Sequence, residues 1–374
     1  MPVEVARKIK ALVQAGATVA GPKPQSDPGL RNYPQCDAEV KQLADEVWGA
    51  CDGKQVQQQS FGQGRVCWGK PLSEIFLADG VLPDFAISSK DAFIDFIHRA
   101  TPNTDLYFLA NRKGGAETTE ATFRVSGRQP ELWDPVTGKM RDLPQFDSKD
   151  GCTTVPLEFD PSGSMFVVFR KATVGTGRRA VRLDRGVGAN GPATPSNFPK
   201  LSPVQEITGP WTVQFDAQWF YPTAGLDSEP AKGRLVFANL DDWSKRPEPA
   251  VKNFSGTAVY RKTFDLADSS KIQNSKFKIL LDLGTVKETA RVKLNGKDLG
   301  VVWCTPWRVE ITGAVKTGNN ALEIEVVNLW PNRLIGDDAL PEADRKTRTN
   351  ISFDKSQPLL SSGLLGPVRV MAAE

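Results

Sequence analysis

The stretch "ARVKLNGKDLGVVWCTPWRVEIT", residues 290–312, decides the fold class of the carboxyl-terminal half of the chain. Apolar and polar residues alternate on both sides of Asn295-Gly296, and Asn-Gly between two alternating runs is a strong signal for a tight β-hairpin. The second run ends at Trp303, and Trp307 follows after a proline. These two indoles either fill the core of a β-sandwich or stack on something that the protein binds, and the alternation leaves both interpretations open.

The segments around this hairpin follow the same pattern. Eight short runs rich in β-branched and aromatic residues recur at even spacing, from "GPWTVQF" at residue 209 to "GPVRVMA" near the end. Even spacing of short strands, with Gly and Asn turns between them, is typical of a sandwich of jelly-roll size. We therefore predict a jelly-roll domain over residues 205–374.

The part before the jelly roll is also predicted to be β-rich. "DLYFLANR", "ATFRV", "PELWDPVTGKM", "TTVPLEF" and "SMFVVFRK" are short strands, which predict a small antiparallel sandwich over residues 91–171. "AFIDFIHRA" is interpreted as a further strand, although its apolar spacing would also suit a helix. Residues 172–204 are rich in Gly, Pro and Arg and are predicted to be a linker.

The first 90 residues have an α/β pattern. Val5, Ile9, Leu12 and Val13 would lie on one face of a helix that ends near Gly16. A strand over "ATVAG", a second helix, a strand over "GRVCWG" and a third helix follow. Two strands are too few for a parallel sheet covered on both faces, so an incomplete flavodoxin-like segment is expected, with the chain starting inside a domain. "FGQGRVCWG" lacks the third glycine of a dinucleotide-binding fingerprint.

Composition excludes several classes of function. Lys and Arg number 47 against 44 Asp and Glu, and they are scattered, which argues against a nucleic-acid or membrane partner. The longest apolar runs fall short of the roughly 18 residues of a membrane span, and the amino terminus does not resemble a signal peptide. Five widely spaced cysteines indicate neither a disulfide framework nor a zinc site. The single histidine, His98, lies in an apolar setting typical of a core or interface residue.

Two motifs in the last domain resemble known families. The order of "GTAVYRKTFDL", "LLDLGTVKETARVKLNGKDLG" and "TPWRVEITGAVKTGNNALEIEVVN" resembles the sugar-binding, galactose-binding-like jelly roll of glycoside hydrolase family 2. "NLWPNRLIGDDALPEADRKTRTN" and "PLLSSGLLGPVRV" resemble the carboxyl-terminal signature of the family 106 α-L-rhamnosidases, and "GRVCWG", "DFIHRATPNTDLYFLANR" and "QPELWDPVTGKM" are similar to the segments that follow the barrel in those enzymes.

This resemblance implies hydrolysis of α-L-rhamnosides, with a catalytic (β/α) barrel and its carboxylates lying upstream of the segments present here. The catalytic residues are accordingly unknown in this chain. The alternatives are a non-catalytic fragment that binds saccharide or docks onto a separate barrel, and, less favoured, a relative of rhamnose–glucuronate lyases. The resemblance suggests an exported protein, while localisation stays undetermined by the chain itself.

The candidate substrate-binding residues are aromatic, amide and guanidinium side chains, because indoles cover the apolar faces of sugars and the others donate to hydroxyls. They are Trp303, Trp307, Asn328, Trp330, Asn332 and Arg333. We expect the loss of Trp330 or Arg333 to weaken rhamnoside binding with little loss of stability. Loss of Trp303 should destabilise the fold if that indole lies in the core.

No cofactor is expected. Two acidic pairs, Asp241-Asp242 and Asp337-Asp338, could bind calcium. Solvated turns are the favoured interpretation of both pairs.

Overall fold

The computed structural model describes residues 1–172, 196–220, 233–266, 278–351, 353 and 357–373 of the 374-residue chain. These residues form two compact units. The first contains Met1–Ala86, Thr122–Ser126 and Lys149–Thr153, and the second contains Ile87–Ala121, Gly127–Ser148 and Thr154–Glu374. None of the helices in the described part of the chain is long and apolar enough to cross a membrane.

The amino-terminal segment is a small α/β layer, as expected. It contains α1 (Val3–Gln14), β1 (Thr18–Ala20), α2 (Gln35–Trp48), β2 (Gln58–Phe61), β3 (Gly64–Cys67) and α3 (Leu72–Ala78). β1 and β3 are parallel, and β2 adds an antiparallel strand that the sequence pattern did not indicate. α1 buries Val3, Ala6 and Val13, whereas Val5 and Leu12 are exposed. The helix itself is thus confirmed, but its predicted apolar face is rotated.

Gly64, the first residue of β3, has a packing role. A Cβ atom at this position would lie 2.3 Å from the Ala17 carbonyl oxygen. Only glycine allows β3 to approach the α1–β1 turn this closely. The spacing of Gly62 and Gly64 therefore reflects close backbone packing.

The following strands form two antiparallel sheets. One has the order β10-β11-β7-β4 and the other the order β5-β6-β12-β8-β9. "AFIDFIHRA" contains a strand, as predicted. The strands are β4 (Phe85–Ile87), β5 (Ile94–Thr101), β6 (Thr104–Asn111), β7 (Glu117–Phe123), β8 (Arg128–Trp133), β9 (Met140–Asp142), β10 (Asp147–Lys149), β11 (Cys152–Phe159) and β12 (Ser164–Ala172).

His98 lies on β5 and is half-buried. Its ring stacks on Tyr107 at a centroid distance of 4.0 Å, and Nε2 lies 3.1 Å from Asp105 Oδ1. These contacts agree with the expectation of a packed histidine.

The last part is a jelly roll made of two main sheets and a small third one. A six-stranded sheet has the order β15-β14-β16-β22-β19-β20, a four-stranded sheet has the order β13-β24-β17-β21, and β18 pairs with β23. In the described connections of the jelly roll lie two short α-helices, α4 (Pro249–Lys252) and α5 (Pro331–Asp338). The strands are β13 (Leu201–Glu206), β14 (Trp211–Phe215), β15 (Arg234–Phe237), β16 (Thr257–Leu266), β17 (Lys278–Asp282), β18 (Thr285–Lys287), β19 (Thr289–Leu294), β20 (Lys297–Val302), β21 (Arg308–Glu310), β22 (Gly318–Val327), β23 (Gly363–Gly366) and β24 (Arg369–Ala373).

The Asn-Gly hairpin forms as predicted between β19 and β20. Asn295 and Gly296 both have positive φ angles, 53° and 80°, as the favoured two-residue hairpin turn requires. The Asn295 amide also donates to the Ala314 carbonyl at 2.8 Å, which ties the turn to the loop between β21 and β22. The pattern of the opening stretch was therefore sufficient to predict this element.

The jelly-roll core is aromatic. Trp211, Phe215, Trp243 and Tyr260 are fully buried, and Trp243 Nε1 donates to the Tyr260 hydroxyl at 2.6 Å. Burial strongly raises the pKa of Tyr260, so this phenol stays neutral. With these sheets and this core, the expected fold class of a mainly β chain with a partial α/β segment is confirmed.

The predicted domain boundaries at residues 90, 171 and 204 stay predictions. Residues 173–195 of the predicted linker lie outside the described residues. Asn197, at the far end of that segment, is buried and exchanges hydrogen bonds with the Gln145 backbone at 2.8 and 2.7 Å. This end of the segment is therefore anchored to the small sandwich.

Candidate saccharide-binding site

One end of the six-stranded sheet gathers most of the predicted site residues. Val302 pairs with Ala290 on β19, and Ala290 pairs with Val326 on β22. β20 and β22 therefore end side by side with one strand between them, about 10 Å apart. Trp303 follows the first of these strands, and the stretch beginning at Asn328 follows the second.

The two tryptophans of the opening stretch have different environments. Trp303 is 58% exposed, whereas Trp307 is 8% exposed and packs in the core of the jelly roll. Between them, the Thr305 hydroxyl donates to the Pro161 carbonyl of the small sandwich at 2.7 Å. The segment thus contributes one core residue, one contact to the sandwich and one solvent-facing indole.

Trp330 lies at the start of α5 and is 46% exposed. Its ring meets Trp219 edge to face, with centroids 4.9 Å apart and planes at 81°. The neighbouring Leu329 is also exposed. We call Trp219, Leu329 and Trp330 the aromatic ledge. Aromatic pairs favour this geometry, so the exposed indole has a preferred orientation.

Asn328 and Asn332 are buried beneath the aromatic ledge. The Asn328 amide donates to the Phe254 carbonyl at 2.8 Å and to the Ser362 hydroxyl at 3.1 Å. The Asn332 amide donates to the same hydroxyl at 3.0 Å and exchanges two 2.7 Å hydrogen bonds with the Leu360 backbone. Both predicted sugar contacts therefore use their amides to connect chain segments.

Arg333 is fully buried. Its guanidinium donates to the Trp219 carbonyl and lies 3.8 Å from an Asp337 carboxylate oxygen. Asp337 also accepts from the Thr347 amide and hydroxyl at 2.7 and 2.6 Å. This arrangement places Arg333 behind the indoles, where it positions Trp219. Replacing Arg333 should therefore destabilise the fold, contrary to the expectation of little loss of stability.

Two further residues tie the loops of the site together. Asp242 accepts from the Ser362 amide at 3.0 Å and from the Ser244 hydroxyl at 2.8 Å. Burial acts to raise the pKa of Asp242, but these hydrogen bonds outweigh it and lower the pKa. Lys346 donates to the carbonyls of Gln218 and Phe220, next to Trp219. Burial, followed by repulsion from Arg333, lowers the pKa of Lys346.

The sequence reasoning missed Trp219, Ser255, Ser362 and the role of Asp242. Ser255 accepts from the Arg333 amide and donates to the Leu329 carbonyl at 2.8 Å. Trp219 carries no periodic signal, and the two serines lie in ordinary loop stretches. Asp242 followed by Ser244 is a recognisable capping pattern, and it caps a short 3₁₀ turn over Trp243–Lys245.

The acidic pairs considered for calcium are engaged with protein groups. Asp241 lies 3.2 Å from the Arg246 guanidinium, and Asp338 lies 3.7 Å from that of Arg345. Within the described ranges, no group of three or more His, Cys, Asp and Glu side chains could hold a metal ion.

Asp160, a carboxyl with a raised pKa, lies where the sandwich contacts the jelly roll. Burial raises the pKa of Asp160, and the negative charges of Asp282 and Asp134 raise it further. The Arg308 guanidinium, 3.6 Å away, acts to lower this pKa but does not outweigh the burial. Raised carboxyl pKa values occur in general acids, but also where a charge is buried at an interface. The Arg308 bridge between Asp160 and Asp282, at 2.7 Å from the latter, indicates a structural role here.

Comparison with known proteins adds two relatives. A rhamnosidase from Novosphingobium sp. PP1Y is 34% identical, with a TM-score of 0.79 over 100% of this chain and 32% of its own. A Formosa agariphila protein named "Putative beta-glucuronidase" is 25% identical over 98% of this chain and 49% of its own length. The chain thus spans about a third and about half of these two proteins.

Two family models match separate parts of the chain. Residues 1–148 match the α-L-rhamnosidase model of glycoside hydrolase family 106, and residues 235–365 match the galactose-binding domain-like model of family 2. The resemblance expected from the sequence is thereby confirmed: this glycoside-hydrolase-like chain is similar to the family 106 α-L-rhamnosidases over its first 148 residues and to the galactose-binding-like domain of family 2 over residues 235–365.

Proposed function

We propose that this chain contributes a saccharide-binding surface to the hydrolysis of α-L-rhamnosides. In this proposal the aromatic ledge holds a rhamnose-containing glycan, and a (β/α) barrel of the kind found in family 106 enzymes supplies the catalytic carboxylates. The observation that carries the proposal is an exposed indole, Trp330, supported by a network of buried hydrogen bonds.

The physical basis is preorganisation. A sugar ring presents an apolar C–H face that an indole covers, while the ring hydroxyls need polar partners at the edge. Trp219 restricts the orientation of Trp330, and Arg333 in turn holds the Trp219 backbone, so little side-chain entropy remains to be lost on binding. We expect stacking to contribute about 1 kcal/mol, which supports millimolar affinity only when hydrogen bonds add to it.

The binding test is a titration with L-rhamnose and a rhamnose-containing oligosaccharide, followed through the indole N–H signals in NMR spectra. Trp330→Ala should weaken binding about fivefold or more, because the stacking platform is lost. Trp303→Ala is the matched control, since Trp303 is an exposed indole at the same end of the sheet and, among the described residues, makes no ring contact like that of Trp330 with Trp219. Thermal melts should show both variants folded. Unchanged affinity in Trp330→Ala would remove the ledge as a sugar platform.

A catalytic role for the chain by itself is the second candidate. Glycoside hydrolysis needs two carboxyl groups about 5–10 Å apart, and we assign no such pair. The purified chain should be assayed on an aryl α-L-rhamnoside and, because one relative carries a glucuronidase name, on an aryl β-glucuronide. Turnover abolished by a single Asp or Glu substitution would show that the chain holds its own catalytic carboxylates.

Docking onto a separate barrel-bearing polypeptide is the third candidate, favoured by the adjacent exposure of Leu329 and Trp330. A leucine side chain has no polar group for a sugar hydroxyl, whereas its apolar surface can be buried at a protein interface. If the ledge is a docking surface, Leu329→Ala should weaken association with the barrel while leaving rhamnose affinity unchanged. If it binds saccharide, Trp330→Ala should be the more harmful of the two in the titration.

A further inference from the structure

The outer face of the six-stranded sheet carries a row of polar side chains across four neighbouring strands. Thr212 on β14 pairs with Arg261 on β16, and Arg261 pairs with Glu323 on β22. Glu323 pairs in turn with Lys293 on β19. Directly paired residues lie on the same side of a sheet, and successive residues of a strand lie on opposite sides. Because Tyr260, next to Arg261, is buried in the core, the row faces away from the core.

A cavity of about 420 Å³ lies along this row and opens to solvent. Thr263 and Ala321 pair with each other in the adjacent row, and their short side chains leave space beside the longer Arg261 and Glu323. Gly296 of the hairpin turn also lines this space. The volume falls within the range of about 300–1,000 Å³ that is typical of sites for small ligands.

The described lining of the cavity carries more positive than negative charge. Its charged residues are three cations and one carboxylate, namely Arg261, Lys262, Lys293 and Glu323. Asp298, which lies opposite Lys293 on β20, forms an ion pair of its own with Arg291. The excess of positive charge favours an anion in the cavity.

Glu323 orients Arg261 and Lys293 without using all of their donors. It accepts from Arg261 Nε at 2.9 Å and from Lys293 Nζ at 3.1 Å. Burial acts to raise the pKa of Glu323, but the hydrogen bond from Lys293 and the charge of Arg261 outweigh it and lower the pKa, so this carboxylate stays ionised.

The Arg261 guanidinium keeps its end open. In the part of the chain that the structure describes, its two terminal nitrogens donate to no protein acceptor, and Lys293 Nζ donates to Glu323 alone. Lys262 differs, because its ammonium donates to the Pro210 carbonyl at 3.0 Å. A planar guanidinium fork matches a carboxylate through two parallel hydrogen bonds, which a point charge cannot do.

We propose that this cavity binds a hexuronate residue of an acidic saccharide, with the sugar carboxylate on the terminal nitrogens of Arg261 and on the Lys293 ammonium. A simple carboxylate would satisfy only these cations. The hydroxyls of Thr212 and Thr263 also line the cavity and can donate to or accept from the ring hydroxyls of a sugar. The short side chain of Ala321 leaves room for the ring.

This site is separate from the aromatic ledge. The cavity lies near the beginning of β22 at Gly318, whereas the aromatic ledge follows the end of that strand at Val327. Binding of a hexuronate here therefore does not depend on the binding of rhamnose at Trp330.

The test is a titration of the full chain with D-glucuronate and D-galacturonate, followed through the backbone amide signals of Gly296 and Ala321 in NMR spectra. D-Glucose and D-galactose are the matched neutral ligands, because they have the same ring stereochemistry without the carboxylate. At least one uronate should bind with millimolar affinity, about tenfold or more tightly than its neutral counterpart, because the charge-assisted hydrogen bonds carry the recognition.

Arg261→Gln should weaken uronate binding about tenfold or more, and Arg261→Lys should recover only part of that loss because the fork is gone. Ala321→Leu fills the cavity while every charge stays in place, and it should abolish measurable binding. Arg369→Gln is the matched control. Arg369 is similarly exposed and donates through Nε to Glu206 across a strand pair at 3.0 Å, but outside the cavity. Thermal melts check that each variant is folded.

Four results would overturn the proposal. The first is the absence of any shift of these amides with either uronate up to tens of millimolar, and the second is equal affinity for the neutral sugars. The third is that inorganic sulfate or acetate binds as tightly as the uronates, which would reduce the cavity to a plain anion site. The fourth is loss of uronate binding in Trp330→Ala, which would place the ligand on the aromatic ledge.

Discussion

Trp303 and Trp330 are both exposed indoles at the same end of the jelly roll, but they differ in what lies beneath them. Trp330 meets Trp219 edge to face above the hydrogen-bonded amides of Asn328 and Asn332. Trp303 follows a strand end and is the more exposed of the two. An exposed aromatic residue becomes a plausible binding platform when buried polar groups restrict its orientation, because those groups reduce the entropy lost on binding.

The largest expected loss of stability comes from replacing the tryptophan of this end that lies in the core. Trp307→Ala should lower the free energy of unfolding by about 3–5 kcal/mol, since it removes a buried indole and leaves a cavity. Trp303→Ala should change it by less than about 0.5 kcal/mol, as surface substitutions do. Urea denaturation of both variants measures the difference. Equal costs would contradict the opposite environments of the two tryptophans.

The second effect concerns the support beneath the ledge. Arg333→Met keeps much of the side-chain length but removes the donor to the Trp219 carbonyl and the charge beside Asp337. We expect a loss of about 2–4 kcal/mol in the free energy of unfolding, because buried polar groups lose their partner. Arg345→Met is the matched control, as that guanidinium is partly exposed. An unchanged free energy of unfolding in Arg333→Met would show that the aromatic ledge does not depend on this hydrogen-bond network.

The smallest effect is the pH dependence of Asp242. Its pKa is lowered from the ordinary 3.8, so the ionised form favours the folded state. The stabilisation is complete above pH 3.8 and is lost as the pH falls through the lowered pKa of the folded state. Asp242→Asn should lower the free energy of unfolding by about 1 kcal/mol at neutral pH. The difference from wild type should shrink as the pH falls below 3.8. Denaturation curves from neutral pH to about pH 3 test this. A constant difference would mean that the carboxylate charge is not involved.

Much of the architecture was predictable because it depends on local patterns. The Asn295-Gly296 turn needs two residues with positive φ, and alternation around it assigns the strands whatever surrounds them. The helices near the amino terminus were equally visible in their apolar spacing. β2, with the letters "QQSF", was missed because it is an exposed strand with little apolar content.

The candidate site was only partly predictable. The chain order placed "VVWCTPW" and "NLWPNR" after two strands, and antiparallel pairing brings those strand ends to one edge. The sequence pattern around a polar loop residue is the same whether that residue faces solvent or is buried against another loop. Asn332 and Arg333 were therefore assigned to substrate, although the segments at Leu360 and Trp219 cover them.

The amino-acid sequence by itself determined the mainly β fold, the hairpin and the family resemblance, because turn chemistry, alternation and motif order are properties of neighbouring residues. Only the tertiary structure decided which tryptophan is core and which amides are buried. Burial depends on segments far apart in the chain, such as Ser255 with Trp330 or Asp242 with Ser362. Hydrogen bonds across such separations stabilise buried polar groups only after the sheets have brought the loops together.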